Sequence, residues 1–262
     1  MRAAKSIQGF LIPVYRHIAT AVPLAEKLAA FKLPIILIDD GNGQEAKSLL
    51  MELAAKIPEV VLVSLEKNRG KGEAVIKGLK KANELGLTHA LQIDADGQHD
   101  EGRAAFFLEE SAKHPEKIIC GFPIYDKDAP RSRTQGRKIS NFWAAAVTLS
   151  SELKDVMCGF RVYPVKKTLQ IAKNPFLDKR MGFDAEILAR LYWNRVFPVF
   201  HPITVRYPKD GISNFRMVRD NLRISLMFSR LCIGMLLRFP YLLVLNILQR
   251  KIARGNYSGK KR

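Results

Sequence analysis

Short apolar runs alternate with helix-forming segments through the first half of the chain, and this alternation restricts the fold more than any other feature. The apolar runs lie at residues 9–14, 35–38, 60–64, 90–93 and 118–120, and the segments with helical spacing lie at 21–30, 44–55, 72–85 and 103–113. Strands and helices in this order predict an α/β protein with a mostly parallel sheet and helices on both faces.

Polar side chains follow each of the first four apolar runs. They include Tyr15, the pair Asp39-Asp40, the segment 68–72, and the residues from Asp94 to His99. In open parallel sheets, ligands bind beyond the carboxyl ends of the strands. We therefore expect these four clusters to converge on one binding site.

Asp94, Asp96 and Gln98 are the strongest candidate site in the sequence. Carboxylates two residues apart in an extended segment lie on the same side of the chain. Two carboxylates bind a hard divalent cation and leave positions for water and phosphate oxygens, and such a cation makes a diphosphate a better leaving group. The alternative is a solvated Asp-rich turn, but the position directly after the apolar run 90–93 favours the metal site.

The other clusters leave alternatives open. Asp39 and Asp40 are a second pair of acidic ligands, carboxylates that read a base, or a helix N-cap. The segment 68–72 offers backbone N–H groups and two cations to phosphate, although its spacing is not that of a P-loop. His99 is either a metal ligand or a hydrogen-bonded loop residue.

The second half of the chain is less regular. We expect a basic loop at 131–138, a buried helix at 141–149, a site-lining loop at 155–161, a helix at 187–192, and a last strand at 200–205 with a loop to residue 214. There is no internal repeat and no long linker.

Composition excludes several classes of protein. The chain has 262 residues, and 47% of them are hydrophobic, which excludes a disordered protein. The three cysteines form no CxxC pair, so we expect no disulfide framework, no cysteine zinc site and a reducing compartment. No segment has the pattern of a cleaved signal peptide. The best apolar segments, 231–237 and 239–248, are separated by Arg238, which disfavours a spanning helix.

Seven motifs occur in the order typical of one enzyme family. They are IPVY (12–15), LIDDGN (37–42), NRGKGEAVIKGL (68–79), DADGQH (94–99), DVMCGFRVY (155–163), FDAEIL (183–188) and PITVRYPKDGIS (202–213). From about residue 9 to residue 215 the chain resembles the family 2 glycosyltransferases of GT-A fold, and most closely their dolichyl-phosphate mannose synthase-like branch and its bacterial relatives. The resemblance implies a Rossmann-like GT-A domain at residues 1–215 and inverting transfer from a UDP- or GDP-sugar.

The resemblance also implies roles for individual residues. Pro13, Tyr15, Ile38 and Asp40 would line the pocket of the nucleotide base and ribose. Asp94, Ala95 and Asp96 would meet the ribose and the diphosphate. The implied ligands of Mg²⁺ or Mn²⁺ are Asp94, Asp96 and Gln98.

Two departures from the synthase pattern concern the acceptor. In the synthases an arginine of a Gly-Ser/Thr-Arg-Tyr segment after the fifth strand meets phosphate, whereas this chain has Gly121-Phe122-Pro123. The Ser-Lys of the late loop is Ser213-Asn214 here, with Arg206 and Lys209 nearby. Both departures weaken the prediction of a polyprenyl-phosphate acceptor.

Asp184 is the candidate general base. A hydroxyl acceptor needs a base, which an anionic phosphate acceptor does not, and many family members place their base near this position. We therefore expect Asp96 and Asp184 to be the catalytic residues. The alternative for Asp184 is a carboxylate that favours a helix dipole, and Asp155 and Glu186 are second choices for the base.

The C-terminal fifth carries most of the basic excess. Residues 206–262 contain thirteen basic and two acidic residues, in a chain whose formal net charge is +18. At 100° per residue, five arginines share about a third of one helical circumference, and most of the other positions are apolar. These arginines are Arg216, Arg219, Arg223, Arg230 and Arg238.

Such a helix suits the surface of an anionic membrane. We expect residues 216–262 to form amphipathic helices that hold the enzyme peripherally at the cytoplasmic face, near a lipid-borne acceptor. The alternatives are a packed helix with solvated arginines and a nucleic-acid-binding module. Because nucleic-acid surfaces rarely need so much aliphatic area, we expect no nucleic-acid partner.

Overall fold

The computed structural model describes residues 6–125, 131–206 and 214–258. Its strands are β1 (Gln8–Val14), β2 (Ile35–Asp39), β3 (Val60–Ser64), β4 (His89–Gln92), β5 (Ile118–Tyr125), β6 (Arg161–Pro164) and β7 (Pro198–Val205). Its helices are α1 (Ile18–Ala29), α2 (Gln44–Lys56), α3 (Lys71–Glu84), α4 (Ala104–Lys113), α5 (Arg131–Thr148), α6 (Val165–Ala172), α7 (Phe183–Trp193), α8 (Met217–Leu237) and α9 (Phe239–Ser258).

In the described part of the chain, the seven strands form one sheet in the order β3-β2-β1-β4-β6-β5-β7. All neighbours pair in parallel except β6, which is antiparallel to both β4 and β5. The predicted α/β fold with a mostly parallel sheet is confirmed. The carboxyl ends of β1 to β4 and the amino end of β6 therefore meet at one edge.

The helices cover both faces of the sheet, as the alternating side chains of β1 illustrate. Phe10, Ile12 and Val14 belong to an apolar core together with residues of α1, α2 and α4. Leu11 belongs to the core on the opposite face, which α3 and α5 to α9 complete. Successive residues of a strand point to opposite faces, so the apolar run of β1 contributes to two cores at once.

Several predicted elements need correction. The basic segment 131–138 is the first part of α5, so the predicted loop is wrong. β5 continues to Tyr125, which places Gly121, Phe122 and Pro123 inside a strand paired with β7. β6 and α6 have no counterpart among the predicted elements. The loop 207–213, with Lys209 and Ser213, lies outside the described residues.

α8 and α9 pack on the remainder of the protein. Met227, Phe228 and Leu231 of α8 and Leu242 and Leu245 of α9 are buried in the core that contains α5 and α7. Within the described residues, no single helix is both long and apolar enough to cross a membrane; α8 and the first part of α9 satisfy that test only as a pair, bent by 84°. The division of the chain at residues 215 and 216 stays a prediction.

Candidate active site

Asn42 joins the loops that follow β1 and β2. Its Nδ2 donates to Val14 O at 2.9 Å and to Asp39 Oδ1 at 2.7 Å, and its Oδ1 accepts the Arg16 N–H at 2.7 Å. Because the two strands are parallel neighbours, these short bonds close the gap between their ends. Tyr15 is thereby held beside the Asp39-Asp40 pair, as the sequence predicts.

Asp40 fixes the loop that precedes α3. Its Oδ1 accepts the Arg69 N–H at 2.7 Å, and its Oδ2 accepts the Gly70 N–H and Asn68 Nδ2, both at 2.9 Å. Burial raises the pKa of Asp40 above its ordinary value, although these bonds oppose the shift. Two of the backbone N–H groups predicted to cradle phosphate, those of Arg69 and Gly70, are therefore used by Asp40. The N-cap alternative is wrong, because Gly43 occupies that position of α2.

Asp94 is held on several sides just beyond β4. Its Oδ2 accepts a hydrogen bond from Lys71 Nζ at 2.7 Å, and its Oδ1 accepts one from Gln92 Nε2 at 3.0 Å. Gly159, in the segment before β6, lies so close that a Cβ there would overlap the carboxylate. Burial works to raise the pKa of Asp94, but Lys71 and His99 outweigh it and lower the value to about 2. Asp94 is thus a fixed anion.

Lys71, the first residue of α3, connects two carboxylates. Its Nζ lies 2.7 Å from Asp94 Oδ2 and 2.6 Å from Asp184 Oδ2, and 19% of its side chain is exposed. Burial works to lower the pKa of Lys71, but the two carboxylates outweigh it and raise the pKa above the ordinary value. Lys71 is consequently an ion-paired bridge rather than a cation free to bind phosphate.

Asp184 differs from the other two candidate bases in its contacts. It lies in the first turn of α7 and is almost fully buried. Among the described residues its Oδ1 has no hydrogen-bond partner, while Oδ2 pairs with Lys71. Oδ1 is thus a buried carboxylate oxygen whose hydrogen-bonding capacity is not used by the described residues.

The two second choices are occupied by the protein itself. Asp155 pairs with Arg137 Nη1 at 2.9 and 3.0 Å and accepts the N–H groups of Met157 and Cys158. Glu186 is fully buried, pairs with Arg190 at 2.6 Å and accepts the Asp178 N–H at 2.8 Å. Asp155 and Glu186 therefore hold the surrounding loops in place, which leaves Asp184 as the best candidate.

The predicted metal ligands lie in the turn that follows β4. Gly97 has a φ of 71°, which lets the chain turn after Asp96, and Asp96 Oδ1 accepts the Gln98 N–H at 3.1 Å. No group of three or more His, Cys, Asp and Glu side chains is arranged to hold a metal in the described part of the chain. Asp94, Asp96 and Gln98 offer oxygen atoms, which suit Mg²⁺ or Mn²⁺ when substrate and water complete the shell. Metal binding stays a prediction.

His99 lies behind this turn. Its Nε2 is 3.6 Å from Cys158 Sγ, and its ring packs at 5.7 Å from the Phe160 ring. Burial works to lower the pKa of His99, but Cys158 and the carboxylates Asp94 and Asp96 raise it to about 9. His99 therefore adds positive charge beneath the two aspartates.

The other predicted nucleotide residues lie at the same edge of the sheet. Pro13 and Ile38 are paired neighbours on β1 and β2, and Tyr15 is half-buried with the Arg16 guanidinium over its ring. Ile38 is fully buried. Ala95 is also buried, and its carbonyl accepts a hydrogen bond from Thr20. Nucleotide binding by these residues stays a prediction.

Arg161 is a residue of the site that the sequence reasoning did not single out. Its guanidinium is fully buried and donates to Asp184 O and Val156 O. It ties the loop before β6 to the first turn of α7. Its contact with Asp184 carries no local signal, because that acceptor lies 23 residues further along the chain.

The five predicted membrane-binding arginines lie along one flank of α8. Arg216 and Arg238 flank the helix at its two ends. Arg230 lies 3.7 Å from Glu186, and Arg238 lies over the Trp193 ring at 5.1 Å, so these two face the protein. Arg219 is exposed and Arg223 is half-buried. Membrane binding stays a prediction.

Comparisons with known proteins identify relatives of the chain. The model of glycosyl transferase family 2 matches residues 10–171. Dolichyl-phosphate beta-glucosyltransferase of Dictyostelium discoideum is 30% identical over 63% of this chain and 52% of that protein. UDP-N-acetylglucosamine–dolichyl-phosphate N-acetylglucosaminyltransferase of Methanococcus voltae is 26% identical over 59% of this chain and 67% of that protein. The chain thus spans about half the length of the Dictyostelium relative.

A solved structure shares the fold. Glucosyl-3-phosphoglycerate synthase of Mycobacterium tuberculosis, in complex with Mn²⁺, UDP-glucose and phosphoglyceric acid, aligns with a TM-score of 0.63. The alignment covers 88% of this chain and 79% of that one at 15% identity. At this identity the likeness establishes the fold alone.

Proposed function

Because the chain belongs to glycosyl transferase family 2 and is a glycosyltransferase, we propose that it moves a sugar from a UDP- or GDP-linked donor to a lipid-borne acceptor at a membrane surface. The reaction is an inverting, single displacement at the anomeric carbon. The observation that supports this most is the Lys71 bridge, which holds a carboxylate of the donor side, Asp94, and the candidate base, Asp184, on one ammonium group.

The bridge divides the work between the two carboxylates. Asp94 and its neighbours Ala95 and Asp96 bind the ribose and diphosphate of the donor. Asp184 faces the acceptor and takes the proton of its hydroxyl group on Oδ1, the oxygen that Lys71 does not occupy. The acceptor oxygen then attacks the anomeric carbon from the face opposite the nucleoside diphosphate, which departs in the same step.

Two cations would balance the negative charge in the site: Lys71 beside the carboxylates, and a metal ion beside the diphosphate. Asp94, Asp96 and Gln98 would hold Mg²⁺ or Mn²⁺, and this cation would neutralise the departing diphosphate. Lys71 pairs with both Asp94 and Asp184 and so places one positive charge between the two carboxylates. Gly159 allows the loop before β6 to approach Asp94 and close that side of the site.

The exposed surface of α8 is an argument for a lipid-borne acceptor. The outward face of α8 exposes large apolar side chains over more than half of their surface; they are Val218, Leu222, Leu226, Ile233, Leu236 and Leu237. An apolar face flanked by arginines suits insertion into the cytoplasmic leaflet of a membrane. The enzyme would then act as a peripheral protein on an acceptor held in the same leaflet.

A polyprenyl-phosphate acceptor is the second candidate. The names of the Dictyostelium and Methanococcus relatives specify dolichyl phosphate as the acceptor. Such an acceptor is already anionic and needs no base. The two candidates therefore differ in what they require of Asp184.

Asp184→Asn separates these candidates. With a lipid-borne hydroxyl acceptor, we expect kcat to fall by about 10²- to 10⁴-fold while the KM of the nucleotide sugar changes little. With a polyprenyl phosphate as acceptor, kcat should change far less. Transfer by the wild type to only one of the two acceptors identifies the acceptor class directly. A variant that loses donor binding but keeps its turnover would show that Asp184 is not the base.

Metal removal tests the other half of the site. We expect excess EDTA to abolish transfer and added Mn²⁺ or Mg²⁺ to restore it. Asp96→Ala should abolish transfer and Gln98→Ala should reduce it, with little change in unfolding temperature because neither side chain lies in the core. Full activity in EDTA, or an undiminished Asp96→Ala variant, would contradict the metal assignment.

A further inference from the structure

A polar cavity lies at the bend between α8 and α9, apart from the candidate active site. Its volume is about 380 Å³, and its walls come from α6, α7 and Arg238 at the bend. The lining includes Lys167, Gln170 and Asn174 on one side and Arg190 and Trp193 on another.

The charge of this cavity is positive. Three cations line it, Lys167, Arg190 and Arg238, and none of its lining residues is acidic. Glu186 pairs with Arg190 at 2.6 Å and offsets one of the three charges. Arg238 lies over the Trp193 ring and donates to Gly234 O at 3.0 Å, so its guanidinium has no carboxylate partner among the described residues. Cations and amide groups around a cavity of this size suit a phosphate group.

The surroundings of the cavity favour a lipid headgroup over free phosphate as its ligand. The bend is surrounded by exposed apolar side chains: Leu236 is 64% exposed, Leu237 79% and Phe239 43%. Tyr241 adds a half-exposed aromatic ring, and its hydroxyl donates to Trp193 O at 3.0 Å. Aromatic and basic residues beside an apolar surface are typical of the headgroup region of a membrane.

We propose that this cavity binds the phosphate-bearing headgroup of an anionic membrane lipid while the apolar side chains of the bend insert beside it. The proposal rests on the membrane association in the proposed function, and it adds a defined lipid site to it. The lipid bound in this cavity is distinct from the acceptor. The cavity lies at the C-terminal end of α7, whereas Asp184 lies in the first turn of that helix.

Paired variants test the cavity against a general effect of charge. Lys167→Gln with Arg238→Gln removes two cations from the cavity. Lys166→Gln with Arg219→Gln removes two exposed cations outside it, one on α6 and one on α8. The assay is flotation of the full chain with phosphatidylcholine vesicles, with and without phosphatidylglycerol. We expect the cavity pair to weaken binding to phosphatidylglycerol vesicles at least tenfold more than the control pair does.

A second pair of variants guards against misfolding, since Arg238 also packs on Trp193. Lys167 and Lys166 are adjacent and both exposed, so Lys167→Glu and Lys166→Glu should both fold, as their unfolding temperatures would show. Lys167→Glu should weaken binding to phosphatidylglycerol vesicles severalfold more than Lys166→Glu. Equal losses in both comparisons would overturn the cavity assignment and leave membrane association intact.

Two further outcomes decide the remaining questions. Wild-type protein that floats with neither kind of vesicle would overturn membrane association and the cavity assignment together. Inorganic phosphate that raises the unfolding temperature of the wild type, but not of Lys167→Glu, and displaces it from vesicles would identify a site for free phosphate and overturn the lipid proposal. We expect inorganic phosphate to have neither effect at concentrations comparable to the lipid.

Discussion

Charged side chains are paired at the candidate active site, whereas an arginine on the outer face of α8 is exposed and has no carboxylate partner among the described residues. At the candidate active site, Lys71 lies within 2.7 Å of the buried carboxylate of Asp184 and the half-buried carboxylate of Asp94, and Arg137 pairs with buried Asp155. On α8, Arg219 is exposed and has no carboxylate partner among the described residues. Charges that are buried must be paired, whereas exposed arginines remain available to an external partner.

The apolar residues show the same contrast. Leu11 and Ile38 beneath the active site are completely buried, whereas Val218 of α8 is 85% exposed and Leu237 is 79% exposed. A contiguous exposed apolar face marks a surface that another phase or molecule covers. The first region thus satisfies its interactions within the chain, whereas α8 leaves apolar side chains exposed, and the proposed function assigns this face to a membrane.

Lys71→Met should produce the largest effect, because it removes the ion pairs that Lys71 makes with Asp94 and Asp184. It leaves the carboxylates of Asp94 and Asp184 close together without their shared cation. We expect transfer to fall at least 10³-fold and the free energy of unfolding to fall by about 3 kcal/mol. Urea unfolding and initial rates measure both effects.

Lys80→Met is the matched control, because Lys80 is exposed on the same helix. It should change the free energy of unfolding by less than about 0.5 kcal/mol. A Lys71→Met enzyme that keeps wild-type turnover would show that the bridge has no part in catalysis.

Gly159→Ala should come next in size, because the added Cβ overlaps the Asp94 carboxylate. Either Asp94 or the loop before β6 must move, and a misplacement of about 1 Å costs roughly 10²-fold in rate. We expect this loss in kcat/KM, with about 1–3 kcal/mol of destabilisation from overpacking. Gly136→Ala on α5, where a Cβ meets no neighbouring atom, should keep full activity. Equal activities of the two variants would contradict the close approach.

Leu222→Gln with Ile233→Gln should have the smallest effect on stability, and it tests whether the exposed face of α8 inserts into a membrane. Both side chains are about 60% exposed, at 62% and 60%, so the free energy of unfolding should change by less than about 0.5 kcal/mol. Binding to neutral and anionic vesicles should fall by about thirtyfold, since less apolar surface is available for insertion. The control is Leu49→Gln with Met51→Gln, which alters exposed apolar residues of α2. Equal effects of the two pairs would show that α8 is not the inserted face.

Much of the first half of the fold was predictable because its strands are short, apolar and bounded by polar turns. The errors fall where structure depends on distant pairing. The strand β6 has only four residues, and its hydrogen-bonding partners are β4 and β5, which are distant in the sequence. The first part of α5 is basic and contains Gly136, so it lacks the apolar periodicity that signals a helix.

Motifs of the sequence contain the residues of the candidate site, but the contacts between these residues could not be predicted. Asp94, Asp96 and Asp184 occur in recognisable motifs, and the structure brings Asp94 and Asp184 to one ammonium group. The partner, Lys71, lies in a segment whose composition suggests phosphate binding, and both of its carboxylates come from other elements. Local sequence shows which groups are present, whereas tertiary contacts decide which of them remain available to a substrate.

Helix α7 joins the two regions, and its length has a consequence for the choice of acceptor. Asp184 lies in its first turn and Trp193 at its end, which at 1.5 Å per residue places them about 14 Å apart along the axis. Lys71 holds the first end, and Gly234 of α8 packs directly against Trp193 at the second. The helix therefore sets a fixed distance between the bend of α8–α9 and Asp184, the proposed base. If the bend rests on a membrane, as the proposed function has it, this spacing would select acceptors by how far their reacting oxygen stands from that membrane, as well as by the chemistry of the oxygen.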